Sequence, residues 1–274
     1  YGKKSYVVTS AVFSPDSTKL AVGQSDNIIY VYKTGEGWNE KKVICNKFVQ
    51  QSSVTCMIWP SDYGIVFGLI DGKVRLANVK TNKSSTLYGT GVFVVSLASG
   101  PDRKSFLSGH IDGSVVRYYF DSSESSAKLL SHTCPPYCLL WTKNSIVAAG
   151  NDKRVISYSG HDGRELQQFD YNNDDSEFEF SAAAASPTDQ SVVIGSYDRL
   201  RVFDWSSRRG AWEEGVVKEI QNLYTIANIA WKLDGSRVVI GTLCGGVEMF
   251  DCALRKSKLR NNFDATFVGP SQVS

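Results

Sequence analysis

The chain has 274 residues, 42% of them hydrophobic and 21% charged, with a formal net charge of +2. That balance describes a soluble globular chain and not a disordered tail, and its near-neutrality supplies no electrostatic reason to expect nucleic acid. No run of about 18 apolar residues is available to cross a membrane, and no charged-then-apolar leader precedes the first strand-like segment.

A glycine-centred pattern recurs at Gly23, Gly68, Gly109, Gly150, Gly195 and Gly241, spaced 41 to 46 residues apart. Each glycine closes a run of small and β-branched residues, and in five of the six an Asp follows two or three positions later. A period of roughly 40–45 residues is the mark of a four-strand propeller blade. In the first unit, Ser10 to Phe13 leads into the turn Ser14-Pro15-Asp16-Ser17, and Leu20 to Gly23 runs to Asp26-Asn27. Both of those last residues tolerate the positive φ of a tight hairpin. Ile28 to Tyr32 reads as the third strand and Val43 to Phe48 as the fourth.

The later units follow in order through Ile65 to Gly68 with Asp71-Gly72, Phe106 to Gly109 with Asp112-Gly113, and Ile146 to Gly150 with Asp152-Lys153. Then come Val192 to Gly195 with Asp198-Arg199, and Val238 to Gly241, where Cys244 stands in place of Asp. The pattern predicts an all-β propeller with blades over about 6–48, 53–88, 92–130, 136–169, 178–220 and 224–263. Six blades are visible. Seven is the commoner number, and the missing initial Met leaves room for a further unit ahead of Tyr1. Residues 264–274 are expected to close the ring or to lead into a following domain.

Little points to catalysis. The three histidines, His110, His132 and His161, are scattered, and His110 with Asp112 reads better as a turn Asp beside a polar neighbour than as a catalytic pair. No nucleophile elbow, phosphate loop or metal-spaced His pair is present. The six cysteines sit mostly in apolar runs and read as reduced, buried thiols. Cys134 and Cys138 lack the second half of a zinc motif, so no metal or cofactor is expected. The acidic stretch from Asp174 to Glu179 reads as a solvated connection.

The clearest signals for binding are large side chains in apparent insertions between third and fourth strands. These are Trp38 in one and Arg208, Arg209 and Trp212 in the other. Trp and Arg on a rim are the residue types that anchor protein interfaces. The alternative is that each indole folds down to cover its own blade edge.

The units are degenerate WD repeats, with Phe203-Asp204 and Phe250-Asp251 where Trp-Asp would stand. Longer runs are more specific, among them 13–19, 26–33, 42–48, 72–78, 196–203 and 241–248. They resemble the N-terminal propeller of the largest subunit of intraflagellar transport complex B, and the likeness spans the whole chain. The resemblance implies a non-enzymatic scaffold for ciliary transport and cilium assembly. It also implies other complex B subunits as partners, one of them with a calponin-homology domain, and a location in the cilium, at axoneme and basal body, and in the cytoplasm. A reader of peptides or modified tails at the propeller's central face is the competing expectation.

Overall fold

In the computed structural model, residues 6–34, 43–122 and 126–252 are described in full, and 255–259, 263–269 and 272–273 by backbone alone. Every element among them is a β-strand. Two compact units divide the chain at Ser181 and Ala182.

The first unit holds four sheets, each a four-stranded antiparallel meander. They are β1 (Val8–Phe13), β2 (Lys19–Gln24), β3 (Ile28–Lys33) and β4 (Val43–Val49), then β5 (Val54–Ser61), β6 (Gly64–Leu69), β7 (Lys73–Asn78) and β8 (Lys83–Gly89). The third comprises β9 (Val94–Ser99), β10 (Ser105–His110), β11 (Ser114–Tyr119) and β12 (Ser126–Ser131). The fourth comprises β13 (Cys138–Trp141), β14 (Ile146–Ala149), β15 (Arg154–Tyr158) and β16 (Glu165–Asp170).

The second unit opens with a like sheet of β17 (Ala182–Ala185), β18 (Ser191–Gly195), β19 (Arg199–Ser206) and β20 (Ala211–Glu219). Two three-stranded sheets follow. One is β21 (Ile226–Trp231), β22 (Arg237–Thr242) and β23 (Val247–Asp251); the other is β24 (Arg255–Leu259), β25 (Phe263–Gly269) and β26 (Gln272–Val273). The six glycine-centred repeats each make one sheet, and the fold is the all-β WD-repeat propeller that their period predicts. Arg255–Leu259 pairs with Phe263–Gly269.

Most of the repeat glycines are explained by close approach, although a Cβ on Gly241 would meet nothing within 4 Å. A Cβ on Gly68 would lie 2.5 Å from Val94 Cγ1 and 2.7 Å from its Cβ, at the start of the next sheet's first strand. The same holds at Gly195, 2.7 Å from Ile226 Cδ1, and more loosely at Gly23 against Val54 and Met57. First strands therefore run beside one another, β1 with β5, β5 with β9, β9 with β13, and in the second unit β17 with β21.

The cores follow this stacking. One cluster joins Ile29 and Val31 to Met57 and Phe67, a second joins Val66 to Phe106, and a third joins Leu107 and Val115 to Ile146 and Ile156. In the second unit, Val193 and Leu200 pack with Ile226 and Ile240. Each cluster draws on two neighbouring sheets, so among the described residues no sheet buries its faces alone.

In four repeats the Asp after the glycine ties down its own turn. Carboxylate oxygens of Asp26, Asp71, Asp112 and Asp152 accept the backbone N–H two residues on, at 2.9 to 3.2 Å. In the sixth repeat, where Cys244 replaces the Asp, Thr242 Oγ1 does this work and accepts Gly246 N–H at 2.9 Å.

A methyl group on Gly68 meets a β-branched side chain that has no room to move, because Val94 is fully buried. Gly68→Ala is expected to cost about 1–3 kcal/mol through overpacking. Gly89→Ala, whose Cβ would meet only Lys73 Cγ at 3.5 Å, should stay within about 0.5 kcal/mol of the parent. Equal losses in chemical denaturation of the two variants would contradict the close-approach account.

Candidate partner-binding surface

The four residues singled out in the sequence fare differently. Trp38 lies outside the described residues. Trp212 is not in an insertion but inside β20, where it stands directly across from Trp205 in the β19–β20 register. The two indoles meet edge to face at 5.3 Å and 69°, and Trp212 is only 3% exposed. Its indole covers its own sheet, which leaves little for a partner to grip.

Arg208 and Arg209 sit on the exposed β19–β20 turn. The turn closes through Gly210 N–H to Ser206 O at 2.8 Å, with Gly210 at φ 62°, a value glycine adopts without strain. Arg209 Nε lies 3.3 Å from Glu213 Oε1, an exposed pair of small energetic weight. The turn thus presents two exposed arginines beside the Trp205–Trp212 pair of β19 and β20.

Other surface features were legible only in part. Ile70 and Ile111 in the first unit, and Tyr197 and Leu243 in the second, are all exposed large apolar side chains. All four occupy the same place in the repeat, two residues after the glycine and one before the turn Asp or its Cys244 substitute. The recurrence was readable in the sequence, but exposure was not, since apolar residues between two strands read equally well as strand ends. A further cavity of about 600 Å³ in the first unit is lined by Arg117, Lys143, Arg164, Tyr119 and Trp141. Arg117 is held in place there, donating from Nη1 to Gly160 O and His161 O at 2.8 Å while its guanidinium stacks over Tyr119.

His110 makes no hydrogen bond to Asp112. It is fully buried, with Nδ1 2.9 Å from Val92 O and Nε2 2.8 Å from Ser108 Oγ, which in turn meets Tyr88 Oη at 2.7 Å. Asp112 instead accepts from Ser114, both N–H and Oγ. Burial pushes the His110 imidazole below the ordinary histidine value. The acidic stretch also departs from expectation, because Glu177 is fully buried. A block of like charge therefore supplies one acid to the interior. The basic run from Arg255 to Arg260 has no described side chains.

Residues 1–33 match the WD domain, G-beta repeat family. Over 100% of its length the chain is 63% identical to intraflagellar transport protein 172 homologs of Mus musculus and of Homo sapiens. The whole chain matches the N-terminal region of these relatives. It covers 16% of the length of those relatives. A chain in the crystal structure of a mitotic checkpoint complex superposes with a TM-score of 0.76 at 19% identity, over 91% of this chain and 76% of that one, a likeness of fold alone.

Two outcomes test the surface as described. Trp212→Ala removes a buried aromatic side chain and is expected to cost about 3–5 kcal/mol, whereas Arg208→Ala and Arg209→Ala each change stability by no more than about 0.5 kcal/mol. Urea denaturation of the three variants separates a structural tryptophan from a displayed one. For His110, the unfolded chain binds a proton that the folded chain resists, so stability present above about pH 6.5 is lost as pH falls below it. Denaturation midpoints at about pH 7.5 and 5.5 should drop on acidification in the parent and drop less in His110→Gln.

Proposed function

We propose that the chain is a protein–protein interaction scaffold acting in intraflagellar transport, without catalytic chemistry of its own. The observation that carries this reading is the full-length identity to the N-terminal region of intraflagellar transport protein 172 homologs, whose names state the transport process. The WD-repeat fold points the same way, because near-equal blades offer rims and faces and not one reactive pocket. Its partners are other complex B subunits, among them one with a calponin-homology domain. Its sites of action are the cilium, at axoneme and basal body, and the cytoplasm. The blade boundaries of the sequence reading, 6–48 through 224–263, are the units on which such partners would be mapped.

The Arg208–Arg209 turn supports one contact, since it offers two exposed arginines to an acidic surface. The exposed apolar residues of the glycine–Asp turns support another. Trp38, outside the described residues, stays in the proposal as a partner-binding residue.

Co-purification of the chain with recombinant complex B subunits, one at a time at moderate and high salt, tests the reading. Retention of one subunit through high salt is the expected result. A double charge reversal, Arg208→Glu with Arg209→Glu, should weaken that retention by roughly tenfold or more if the turn is used. A chain folded by circular dichroism that retains no subunit at either salt would overturn the scaffold reading for this segment.

A further inference from the structure

The segment after β12 carries His132 and Cys134, and the β14–β15 turn carries Asp152. One potential ligand atom from each of the three lies within 4.8 Å of the others. They come from the third and fourth sheets of the first unit, and no sequence spacing joins them. His132 is 4% exposed. Its Nδ1 meets Tyr158 Oη at 2.8 Å, and its Nε2 is buried without a hydrogen-bond partner.

A buried ring nitrogen left unpaired costs about 1–3 kcal/mol. The arrangement also has the form that histidine ligands take. One nitrogen is held by a hydrogen-bonding side chain, which fixes the ring and its tautomer, while the other keeps a lone pair free. When Tyr158 Oη accepts from Nδ1–H, Nε2 is the bare nitrogen.

The other two groups are also positioned. The His132 backbone is pinned by its N–H to Gly113 O at 2.8 Å. Asp152 accepts Arg154 N–H at 3.2 Å on one oxygen and the Thr133 hydroxyl on the other, and both oxygens retain lone pairs. Cys134 is half-buried against Gly150, where even a methyl group would stand 2.7 Å from its sulfur. Ligand atoms around a tetrahedral zinc stand roughly 3.3–3.8 Å apart, given Zn–N and Zn–S lengths of about 2.0–2.3 Å. The observed spread leaves about 1 Å to close, within reach of small rotations about the Cys134 and Asp152 side-chain bonds.

We propose that His132, Cys134 and Asp152 form a divalent transition-metal site, of the zinc class, with water in the fourth position. A mixed nitrogen, sulfur and carboxylate set suits zinc and disfavours calcium or magnesium, which take oxygen alone. The site serves structure: the ion staples the third sheet's exit to the fourth sheet's glycine–Asp turn. Burial pushes the Cys134 thiol up to about 11, so it is protonated at neutral pH. Loading the metal displaces that proton to solvent as the zinc–thiolate bond forms.

The experiment uses the chain stripped of metal and then titrated with cobalt(II), a spectroscopic stand-in for zinc. The expected result is saturation at about one ion per chain, with tetrahedral d–d bands and a thiolate-to-cobalt charge-transfer band, both bleached by zinc. Thermal unfolding should shift upward on zinc addition. Cys134→Ser, near-isosteric and checked for fold by circular dichroism, should lose the charge-transfer band and weaken binding by at least about tenfold. Cys45→Ser, at an exposed strand position remote in sequence, should change neither. Absence of the bands in the parent chain would overturn the site, as would bands that persist unchanged in Cys134→Ser.

Discussion

The architecture rests on the contact between repeat glycines such as Gly68 and Gly195 and the first strand of the following sheet. Where Val94 lies over Gly68 or Ile226 over Gly195, the space that a Cβ would take is already filled. A sheet in such a stack cannot hold its own core, because the residues that seal its inner strands belong to the next repeat. The clusters joining β2 and β3 to β5 and β6, or β10 and β11 to β14 and β15, are the energetic counterpart of that geometry. Stability in such a chain comes from neighbour interfaces more than from any single blade.

With the strands committed to stacking, the turns are free to diverge. The glycine–Asp turn survives the loss of its Asp in the sixth repeat because Thr242, two residues earlier, supplies an equivalent acceptor. The residue just before the Asp faces solvent and has become Ile, Ile, Tyr and Leu in four repeats. Partner contact is cheap to evolve at such positions, since a change there leaves the stacked core untouched. The β19–β20 turn uses the same division of labour. Trp205 and Trp212 pair beside it, and Arg208 and Arg209 are what it displays.

Buried polar groups show how closely the interior is matched. His110 fills its two ring nitrogens with Val92 O and Ser108 Oγ, so it contributes order and no reactivity. His132 is satisfied on one side only, beside a thiol and a carboxylate. Two histidines that look alike in the chain thus occupy different chemical situations, and of the two only His132 has a ring nitrogen without a hydrogen-bond partner. Asp152 serves twice, as the brace of its own turn and as a neighbour of His132 and Cys134.

The sequence by itself determined the repeat, and with it the all-β class, the order of the strands flanking each repeat glycine and most of the glycine–Asp turns. Periodicity and turn chemistry are local, so Gly23 to Asp26 or Gly68 to Gly72 can be read without knowing what lies above them. It also carried the resemblance to intraflagellar transport proteins, through runs long enough to be specific. The tertiary structure alone decided which side chains are displayed. Trp212 read as a rim residue and proved to be an interior one, because its burial depends on Trp205 across a strand pair. Glu177 sat in an acidic run and went inside. His132, Cys134 and Asp152 were separate features until neighbouring sheets brought them together. Burial and proximity are set by contacts between distant segments, and no local pattern encodes them.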